Sequence, residues 1–395
     1  MQSAEIVIIG GGLIGLACAY QLTQAGHQVV LLEKADEVGT QLSDHVGIIH
    51  SAIHSRPNSL AAHHVRYGNG MLHTFCRQES IPLRCGNQLF VASDAADAAN
   101  LAHLKQQGLM NGVRCHEISA ETIRDIEPYA TGVAGLIVED VPIVNFKQVA
   151  QRLALRIEMA GGIIQTRQSV IGLQSQLGGV FVKTANTLYL AHHVINATGA
   201  AAPRLAARAG HRSPSTIVPF RGEYMRLKPL FAHQCTHLIF PVPDQALPFL
   251  GIHLAHVGAG EVLCGPNAIL AGALRQRRKG QINLRTSVSQ LLSPPVRKLS
   301  RRYLQTALWE QRRSWSRSLF ALTLQRMVPT IEKPQLERIA GGTQGFAITS
   351  DGRFVNDFVI ESAEHITHIL STPNFGATAC LSIGQSMVEW VQGTG

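Results

Sequence analysis

Apolar and polar residues near the start of the chain follow the pattern of a βαβ unit. Residues 6–9 form a continuous apolar run rich in β-branched side chains, which is typical of a parallel strand buried on both faces. A segment with apolar residues at helical spacing follows and stops at Gly26, and residues 29–32 form a second apolar run. This order predicts a Rossmann-like unit over residues 5–34.

The turn between the first predicted strand and the helix contains three glycines with separate steric roles. Gly10 allows the tight turn, Gly12 lets the backbone approach a pyrophosphate, and Gly15 lets the helix pack close to the strand. The helix N-terminus offers unpaired N–H groups to phosphates. Glu33, at the end of the second strand, can accept hydrogen bonds from a ribose diol and disfavours a 2′-phosphate. The segment is therefore predicted to bind a dinucleotide.

The remainder of the chain favours FAD over NAD. After a predicted helix over 147–159, short predicted strands replace repeated βαβ units, and the last of them ends in A-T-G at 197–199. An apolar strand ending in A-T-G is the second signature of flavoproteins of the glutathione-reductase type. A helix predicted to begin near Thr378 would direct its N-terminus at the flavin N1–C2=O end, where negative charge collects on reduction.

Three separated nucleotide-binding segments imply a discontinuous domain. We predict an α/β fold in which a FAD-binding Rossmann-like domain of the glutathione-reductase type carries an inserted α+β substrate domain. The FAD-binding domain is assigned to residues 1–85, 143–215 and 338–395, and the substrate domain to 86–142 and 216–337. The residues predicted to contact FAD are Gly10, Gly12, Leu13, Ile14, Gly15, Glu33, Lys34, Val170, Ala197, Thr198, Gly199, Asn374, Gly376, Ala377 and Thr378.

Several segments resemble the L-2-hydroxyglutarate oxidase/dehydrogenase group of the D-amino-acid-oxidase-like superfamily. They are PFRGEYMRL (219–227), IFPVPDQALPFLGIHL (239–254), CGPNAILA (264–271), SDGRFVNDF (350–358) and GIIHSAI (47–53), so the similarity covers essentially the whole chain. The resemblance implies oxidation of an L-2-hydroxy acid to the 2-keto acid by hydride transfer to flavin N5, with electrons passed to oxygen or the respiratory chain. An amine or amino-acid oxidase of the glycine-oxidase kind is the alternative.

That chemistry needs a base for the hydroxyl proton and a partner for the substrate carboxylate. A base with a pKa near neutrality favours histidine. His50 in GIIH and His253 in PFLGIHL are predicted as base and substrate hydrogen-bonder, in either order. Arg221 and Tyr224 are predicted to bind the carboxylate, because arginine offers a bidentate fork. The alternative role of Arg221 is structural, with Glu223 holding it in place.

The chain departs from the family pattern in two places. The family's H-Q-T-G-H-N-S-G-V-I-H reads T-Q-L-S-D-H-V-G-I-I-H over residues 40–50, and a Tyr pair usual just beyond it is replaced by His54-Ser55. Near the C-terminus Gln344 aligns with the Arg of the family's G-[VI]-R-A-Q. Loss of that cation weakens the case for a second carboxylate on the substrate.

Positive charge is concentrated in one stretch of the chain. The net charge is +9, and residues 275–326 contain thirteen basic residues against the single acid Glu310. Helical spacing over the second half of this stretch brings Leu304, Leu308 and Trp315 near one face. This pattern suits an interfacial helix on anionic lipid, where a quinone pool would take electrons. The alternative is a helix that packs on the substrate domain with a solvated basic face.

Other features limit the partners and the location. A nucleic-acid partner is the competing interpretation of the basic charge, but no recognition module accompanies that charge, so we do not predict it. The seven cysteines are scattered and form no C-x-x-C pair, which argues against a disulfide framework or a zinc site. The chain shows no signal-peptide pattern and no apolar stretch near the ~18 residues that span a bilayer. We therefore expect a cytoplasmic protein, with peripheral contact at the inner face of the membrane left open.

Overall fold

The computed structural model describes residues 1–40, 46–211, 213, 215–244, 247, 249–258, 260–271 and 293–393. Within these ranges the strands are β1 (Gln2–Ile9), β2 (Val29–Leu32), β3 (Leu83–Arg84), β4 (Gln88–Ala92), β5 (Cys115–Ser119), β6 (Ala134–Val138), β7 (Ile143–Val144), β8 (Ile163–Gln165), β9 (Val170–Gln176), β10 (Gly179–Thr184), β11 (Leu188–Asn196), β12 (Thr216–Leu227), β13 (Leu238–Pro241), β14 (His253–Gly258), β15 (Glu261–Leu270), β16 (Leu336–Arg338), β17 (Gly342–Ile348), β18 (Val359–Ala363) and β19 (Ile366–Ser371).

The α-helices of the described ranges connect or cover these strands. They are α1 (Leu13–Gln24), α2 (Leu60–Gln78), α3 (Ala95–Met110), α4 (Ala120–Ile126), α5 (Phe146–Met159), α6 (Ala202–Arg208), α7 (Pro294–Arg302), α8 (Leu304–Trp315), α9 (Arg317–Gln325) and α10 (Gly376–Val391). Short 3-10 turns include Ala52–His54 and Gly199–Ala201.

The first sheet is built around the N-terminal strand. Its order is β18-β19-β11-β1-β2-β8, and β10 and β9 continue from β11 as an antiparallel pair. β1 is parallel to both neighbours, and its last four residues are buried on both faces. Continuous burial explains why the apolar run of residues 6–9 does not alternate with polar residues. The predicted parallel α/β fold is confirmed.

The second sheet has the order β16-β12-β15-β14-β13-β4-β6-β5 and is mostly antiparallel. β17 also pairs with β12, over the half of the β12 edge that the three-residue β16 leaves open. β17 thus pairs with the second sheet, although residues 338–395 are predicted to belong to the FAD-binding domain. β12 is twelve residues long, so one edge of it is long enough to pair with both β16 and β17.

Helices α1 and α10 cover the first sheet and pack against each other, so their N-termini lie side by side. A Cβ added to Gly384 of α10 would lie 2.5 Å from the Ala17 carbonyl oxygen of α1, so glycine is required for this approach. Cys18 and Cys380, which lie on these helices, are fully buried. Six of the seven cysteines are buried, and Cys85 is exposed.

Candidate active site

The glycine turn is packed against the strand that ends in A-T-G. Gly10 has φ +113°, and a Cβ there would lie 2.5 Å from the Ala197 carbonyl oxygen. A Cβ on Gly15 would overlap the Gly10 carbonyl oxygen. The Ala197 N–H donates to the Ile9 carbonyl at 2.9 Å, which ties the two segments together. Steric crowding therefore requires glycine at both positions.

Open space and two helix N-termini meet in front of this turn. Gly12 precedes α1 without a side-chain cap, and a Cβ added to it would meet no atom within 4 Å. Phe375 precedes α10, also without a side-chain cap. A Cβ on Gly376 would lie 3.6 Å from Ile14 Cδ1, so the first turns of α1 and α10 are neighbours. Two adjacent positive helix ends favour a negatively charged ligand.

Glu33 lies at the end of β2 beside the glycine turn. Its Oε2 accepts a hydrogen bond from the Gly11 N–H at 2.7 Å, and its Oε1 accepts one from the Ala35 N–H at 2.8 Å. A carboxylate oxygen has two lone pairs, so both oxygens can still accept from ribose hydroxyls. The Gln168 N–H donates to the Glu33 carbonyl at 2.8 Å, which brings the start of β9 at Val170 to the same sheet edge.

A hydrogen-bond network around the buried Asn196 side chain fixes the A-T-G turn at 197–199. The buried Asn196 side chain donates to the Ala202 carbonyl at 3.0 Å and shares a second 3.0 Å hydrogen bond with His368 Nδ1. Its Oδ1 accepts from the Thr198 hydroxyl at 2.8 Å. Gly199 follows with φ +61°. Burial lowers the pKa of His368 to about 4, so its neutral ring can serve this network.

The other predicted cofactor residues differ in what their side chains contact. Lys34 is exposed next to Glu33, whereas Leu13 is buried in the core between the first sheet and its helices. Asn374 and Ala377 flank the start of α10. The Thr378 hydroxyl is fully buried and accepts a hydrogen bond from the segment that contains His50.

His50 is held against the N-terminus of α10. Its backbone N–H donates to Thr378 Oγ1 at 3.0 Å, and its carbonyl accepts from Asn69 Nδ2 at 3.1 Å. The imidazole meets the Phe375 ring edge-on at 5.1 Å between centroids. His50 is therefore fixed beside the first turn of α10.

His253 approaches from β14 of the second sheet. Its ring stacks on Phe240, with 3.9 Å between centroids and 9° between planes. Its Nδ1 lies 3.1 Å from the Gly251 carbonyl oxygen. A carbonyl only accepts, so Nδ1 carries the hydrogen and Nε2 keeps its lone pair.

A third imidazole, that of His54, lies near His50 and His253. In the sequence His54 stood out only as a departure from the family pattern. Its ring stacks on Phe375 at 5.7 Å, with 5° between the planes, and meets Phe90 edge-on at 5.3 Å. His50, His54 and His253 form the histidine cluster. The signal for His54 in the sequence was the replacement of a family tyrosine so close to His50.

The histidine cluster is neutral at neutral pH. Burial, together with the other imidazoles, lowers the pKa of His50 and of His54 to about 3. Burial also lowers the pKa of His253 to about 4, against which the Gly251 hydrogen bond acts. An imidazole without its second proton can accept one, so each ring can act as a proton acceptor or as a hydrogen-bond partner.

Arg221 and Tyr224 lie on opposite faces of β12. A Cβ on Gly222, which neighbours Arg221 and faces the other side, would lie 3.6 Å from Tyr224 Cε2. Arg221 is 4% exposed and donates to Glu223 Oε1 at 2.7 Å, which is the structural role weighed as the alternative. A Cβ on Gly265 would lie 2.7 Å from Tyr224 Cδ1, and Gly265 is the cross-strand partner of His253. The structure thus brings Tyr224, but not Arg221, beside the histidine cluster. Burial raises the pKa of Tyr224, so its phenol remains protonated.

Gln344 lies on β17 opposite Phe220 of β12 and brings no positive charge to that position. Within the ranges that the structure describes, no group of three or more His, Cys, Asp or Glu side chains is arranged to hold a metal ion.

A family model described as "FAD dependent oxidoreductase" matches residues 5–390. The chain belongs to this FAD-dependent oxidoreductase family. The open helix N-termini, the two required glycines and the carboxylate of Glu33 are groups that fit FAD. FAD is thus the cofactor, as the sequence predicted.

Several relatives cover almost the whole chain. One named L-2-hydroxyglutarate dehydrogenase, from Indibacter alkaliphilus, is 32% identical over 391 residues and covers 98% of each chain. Another of that name, from Escherichia coli strain K12, is 32% identical over 98% of this chain and 93% of its own. The human mitochondrial protein of that name is 29% identical over 99% and 89%.

Solved structures share the fold at lower identity. L-alpha-glycerophosphate oxidase from Mycoplasma pneumoniae with FAD bound superposes with a TM-score of 0.80 at 21% identity, over 99% of this chain and 95% of the other. Glycine oxidase from Geobacillus kaustophilus superposes with a TM-score of 0.74 at 17% identity, over 100% and 96%. At this identity the likeness shows the fold alone.

The described part of the basic stretch, residues 293–326, contains three helices, α7 to α9. They pack on the second sheet and leave part of their apolar surface exposed. On α8, Leu304, Leu308 and Trp315 are 54%, 51% and 71% exposed. The inner side of α8 is fixed by Glu310, whose Oε2 accepts from the Ala268 N–H of β15 at 3.1 Å. None of the helices in the described ranges is long and apolar enough to cross a membrane. Five basic residues of the stretch lie outside those ranges: Arg275, Arg277, Arg278, Lys279 and Arg285.

Proposed function

We propose that this protein oxidises a small L-2-hydroxy acid, similar to 2-hydroxyglutarate, to the 2-keto acid. The observation that carries the proposal is His50, whose backbone N–H is anchored to Thr378 at the start of α10 and whose ring packs on Phe375. A proton acceptor beside a flavin-binding helix terminus suits the oxidation of an alcohol. The names of the relatives support the substrate class.

The chain's own residues divide into those that hold FAD and those that handle the substrate. We assign the pyrophosphate to the N-terminus of α1 at Gly12, the ribose to Glu33 and the flavin ring to the N-terminus of α10. The first sheet with its helices forms the FAD-binding domain, and the second sheet, including β17, forms the substrate domain. FAD, when bound, supplies the acceptor for the two electrons that leave the substrate carbon.

The histidine cluster handles the hydroxyl proton. One of His50 and His253 accepts it while the other donates or accepts a hydrogen bond to the substrate oxygen. The Gly251 carbonyl favours His253 as the acceptor, because it leaves Nε2 unprotonated. A bound carboxylate raises the pKa of nearby imidazoles, because negative charge stabilises the imidazolium. Substrate binding therefore strengthens the base that the reaction needs.

Tyr224 is the proposed hydrogen-bond donor to the substrate carboxylate. It lies beside His253, and its raised pKa keeps the phenol protonated. Arg221 supports β12 through Glu223 on the opposite face, so we assign it a positioning role rather than direct contact.

The test is anaerobic mixing of the FAD-loaded protein with 2-hydroxyglutarate, malate, lactate, glycine and sarcosine, followed by flavin absorbance. We expect L-2-hydroxy acids to bleach the flavin band and the amines to leave it unchanged. Bleaching by glycine or sarcosine alone would establish the amine-oxidase alternative, which shares the fold of glycine oxidase. The D-enantiomers of the hydroxy acids serve as matched controls.

We also propose that the exposed face of α8 binds the anionic inner surface of a membrane and that electrons leave through a quinone pool or to oxygen. Exposed leucine and tryptophan beside exposed arginine suit the interface of an anionic bilayer. In flotation assays, vesicles containing phosphatidylglycerol should carry the protein, and phosphatidylcholine vesicles should carry much less. Changing Leu304 and Leu308 to Gln should remove the difference, and the equally exposed pair Leu109 and Met110 on α3 provides the control.

A further inference from the structure

Helix α2 lies directly on the first turn of α10. Its sequence places Gly68 and Gly70 on either side of Asn69, although glycine weakens the interior of a helix. A Cβ on Gly70 would meet no atom within 4 Å. A Cβ on Gly68, in contrast, would overlap the Thr378 carbonyl oxygen and lie 2.8 Å from Ala379 Cα. Glycine at position 68 is therefore what lets the two helix backbones come this close.

The close approach lets the next residue of α2 reach His50. Asn69 Nδ2 donates a hydrogen bond to the His50 carbonyl oxygen at 3.1 Å. The His50 N–H, on the other side of the same Cα, donates to Thr378 Oγ1 at 3.0 Å. Each bond fixes one of the two rigid peptide planes that meet at His50. The backbone of His50 is therefore held by α2 on one side and by α10 on the other.

Fixing both peptide planes also fixes where the His50 imidazole is carried. The two planes define the direction of the Cα–Cβ bond, and the Phe375 ring then meets the imidazole edge-on at 5.1 Å between centroids. Without the Asn69 bond, the plane that follows His50 is released, while the plane that precedes it stays bound to Thr378. The imidazole then keeps its chemistry but loses its fixed position.

A second contact between α2 and α10 does not involve His50. His64 Nδ1 and Ser382 Oγ share a hydrogen bond of 3.0 Å, one turn before Gly68 on α2 and one turn after Thr378 on α10. Both His64 and Ser382 are buried. This contact joins the same two helices, so a change at Ser382 is a matched control for a change at Asn69.

We infer that Asn69 is a positioning residue for the oxidation, which holds the His50 backbone so that the imidazole lies at one fixed place beside the first turn of α10. The inference rests on the proposed function, because His50 is one of the two residues assigned to the substrate hydroxyl. It deepens that proposal by adding a residue of α2 that acts through His50. A displacement of about 1 Å at a reacting group can cost about 100-fold in rate, so loss of this anchor should affect the chemical step.

The experiment measures anaerobic flavin reduction by L-2-hydroxyglutarate in the FAD-loaded protein. Asn69→Leu removes the donor at similar size and should lower the limiting rate of reduction about 10- to 100-fold. The FAD affinity and the substrate concentration that gives half of the limiting rate should each change less than about threefold. Ser382→Ala removes the control bond and should keep the rate of the unaltered protein. Equal limiting rates in Asn69→Leu and Ser382→Ala would overturn the inference.

Asn69→Asp tests the hydrogen bond apart from the shape of the side chain. An ionised aspartate has nearly the same shape as asparagine but only accepts hydrogen bonds, so it cannot donate to the His50 carbonyl. We expect it to slow flavin reduction as Asn69→Leu does. If Asn69→Asp instead reduces at the rate of the unaltered protein, the donated hydrogen bond does not position His50.

A double substitution shows whether Asn69 acts through His50. In the His50→Gln protein there is no imidazole to position, so adding Asn69→Leu should change the rate of flavin reduction less than about threefold. A substitution that only weakened the fold or the binding of FAD would slow reduction by the same factor in both backgrounds. That equal slowing would rule out the positioning role.

Hydrogen exchange gives a readout that does not depend on the reaction. In the FAD-loaded protein without substrate, the amides of segment 47–53, followed by mass spectrometry, should include one that exchanges about 10-fold faster in Asn69→Leu. Ser382→Ala should leave the exchange of this segment unchanged. Unchanged exchange in Asn69→Leu would show that the bond does not hold the segment and would refute the inference.

The outcomes separate the inference from the proposed function. If L-2-hydroxy acids reduce the flavin and Asn69→Leu behaves as the unaltered protein does, the inference alone fails. If no L-2-hydroxy acid reduces the flavin, the proposed function fails and the inference fails with it.

Discussion

The glycine turn and the histidine cluster are the two ends of the proposed site, and the chain builds them differently. The turn is assembled largely from residues 9–35, with Ala197 closing it from the neighbouring strand. The histidine cluster combines a segment near residue 50, β14 of the other sheet and the start of the C-terminal helix. One end is specified by local steric limits and the other by long-range packing.

The two regions also differ in what a ligand would complete. At the turn no space remains for a side chain on Gly10 or Gly15, and a ligand would meet the uncapped N-terminus of α1. In the histidine cluster, buried ring nitrogens of His50 and His54 have no hydrogen-bond partner among the described residues. Changes at Gly10 or Gly15 should therefore damage folding and cofactor binding together, whereas changes in the cluster should alter chemistry and leave the fold.

The largest expected effect is that of Gly15→Ala. The new Cβ overlaps the Gly10 carbonyl oxygen, so α1 has to move away from β1 and the phosphate-binding end of the helix is displaced. We expect FAD binding to weaken by more than about 100-fold and the free energy of unfolding to fall by about 1–3 kcal/mol. Flavin titration and urea unfolding measure both.

Gly12→Ala is the control for that variant. A Cβ at Gly12 meets open space within the protein, so its stability should be unchanged while FAD, which is proposed to lie there, binds more weakly. Equal loss of stability in both variants would contradict the steric argument.

His50→Gln and His253→Gln test the chemistry at the other end. Each should retain FAD and slow anaerobic flavin reduction by about 10²- to 10⁴-fold, the usual contribution of a positioned base. The variant that removes the base should also lose the pH dependence of that rate. An unchanged rate of reduction in either variant removes that histidine from the site.

Arg221→Met and Tyr224→Phe separate the two faces of β12. Removing the guanidinium breaks the hydrogen bond to Glu223 and should lower the free energy of unfolding by about 1–3 kcal/mol. Tyr224→Phe should leave stability within about 0.5 kcal/mol and raise KM for the hydroxy acid. A large rise in KM with unchanged stability in Arg221→Met would instead identify Arg221 as a substrate ligand.

Acidification should lower the stability by a small step for each histidine of the cluster. The pKa of each cluster histidine is lowered in the folded protein from an ordinary value of 6.5, so the unfolded chain binds the proton more readily. The stability they contribute is present above pH 6.5 and is lost as the pH falls towards 3–4. Urea unfolding of the FAD-free protein at pH 7 and 5.5 should show a loss of about 1 kcal/mol per imidazole.

Replacing His253 by Gln should reduce that acid-induced loss by one histidine's share. His63→Gln, at an exposed position, should leave it unchanged. If the unaltered protein, His253→Gln and His63→Gln all lose the same free energy of unfolding on acidification, the burial of His253 does not govern the pH dependence.

The sequence by itself determined the nucleotide-binding unit and the FAD assignment, and it predicted His50 and His253 as site residues. Continuous apolar runs, glycines at fixed spacing and an acid at a strand end act over short distances, so they can be recognised without the rest of the fold. The sequence predicted Arg221 and Tyr224 together as ligands of the substrate carboxylate, and their separation was not inferred from it.

Only the tertiary structure decided which face of β12 meets the histidines, that His54 belongs with them, and that β17 joins the second sheet. Each of these depends on cross-strand pairing or on burial by residues far away in the chain. Hydrogen-bond registry and the loss of solvent around an imidazole arise when distant segments pack, and no local pattern of residues encodes them.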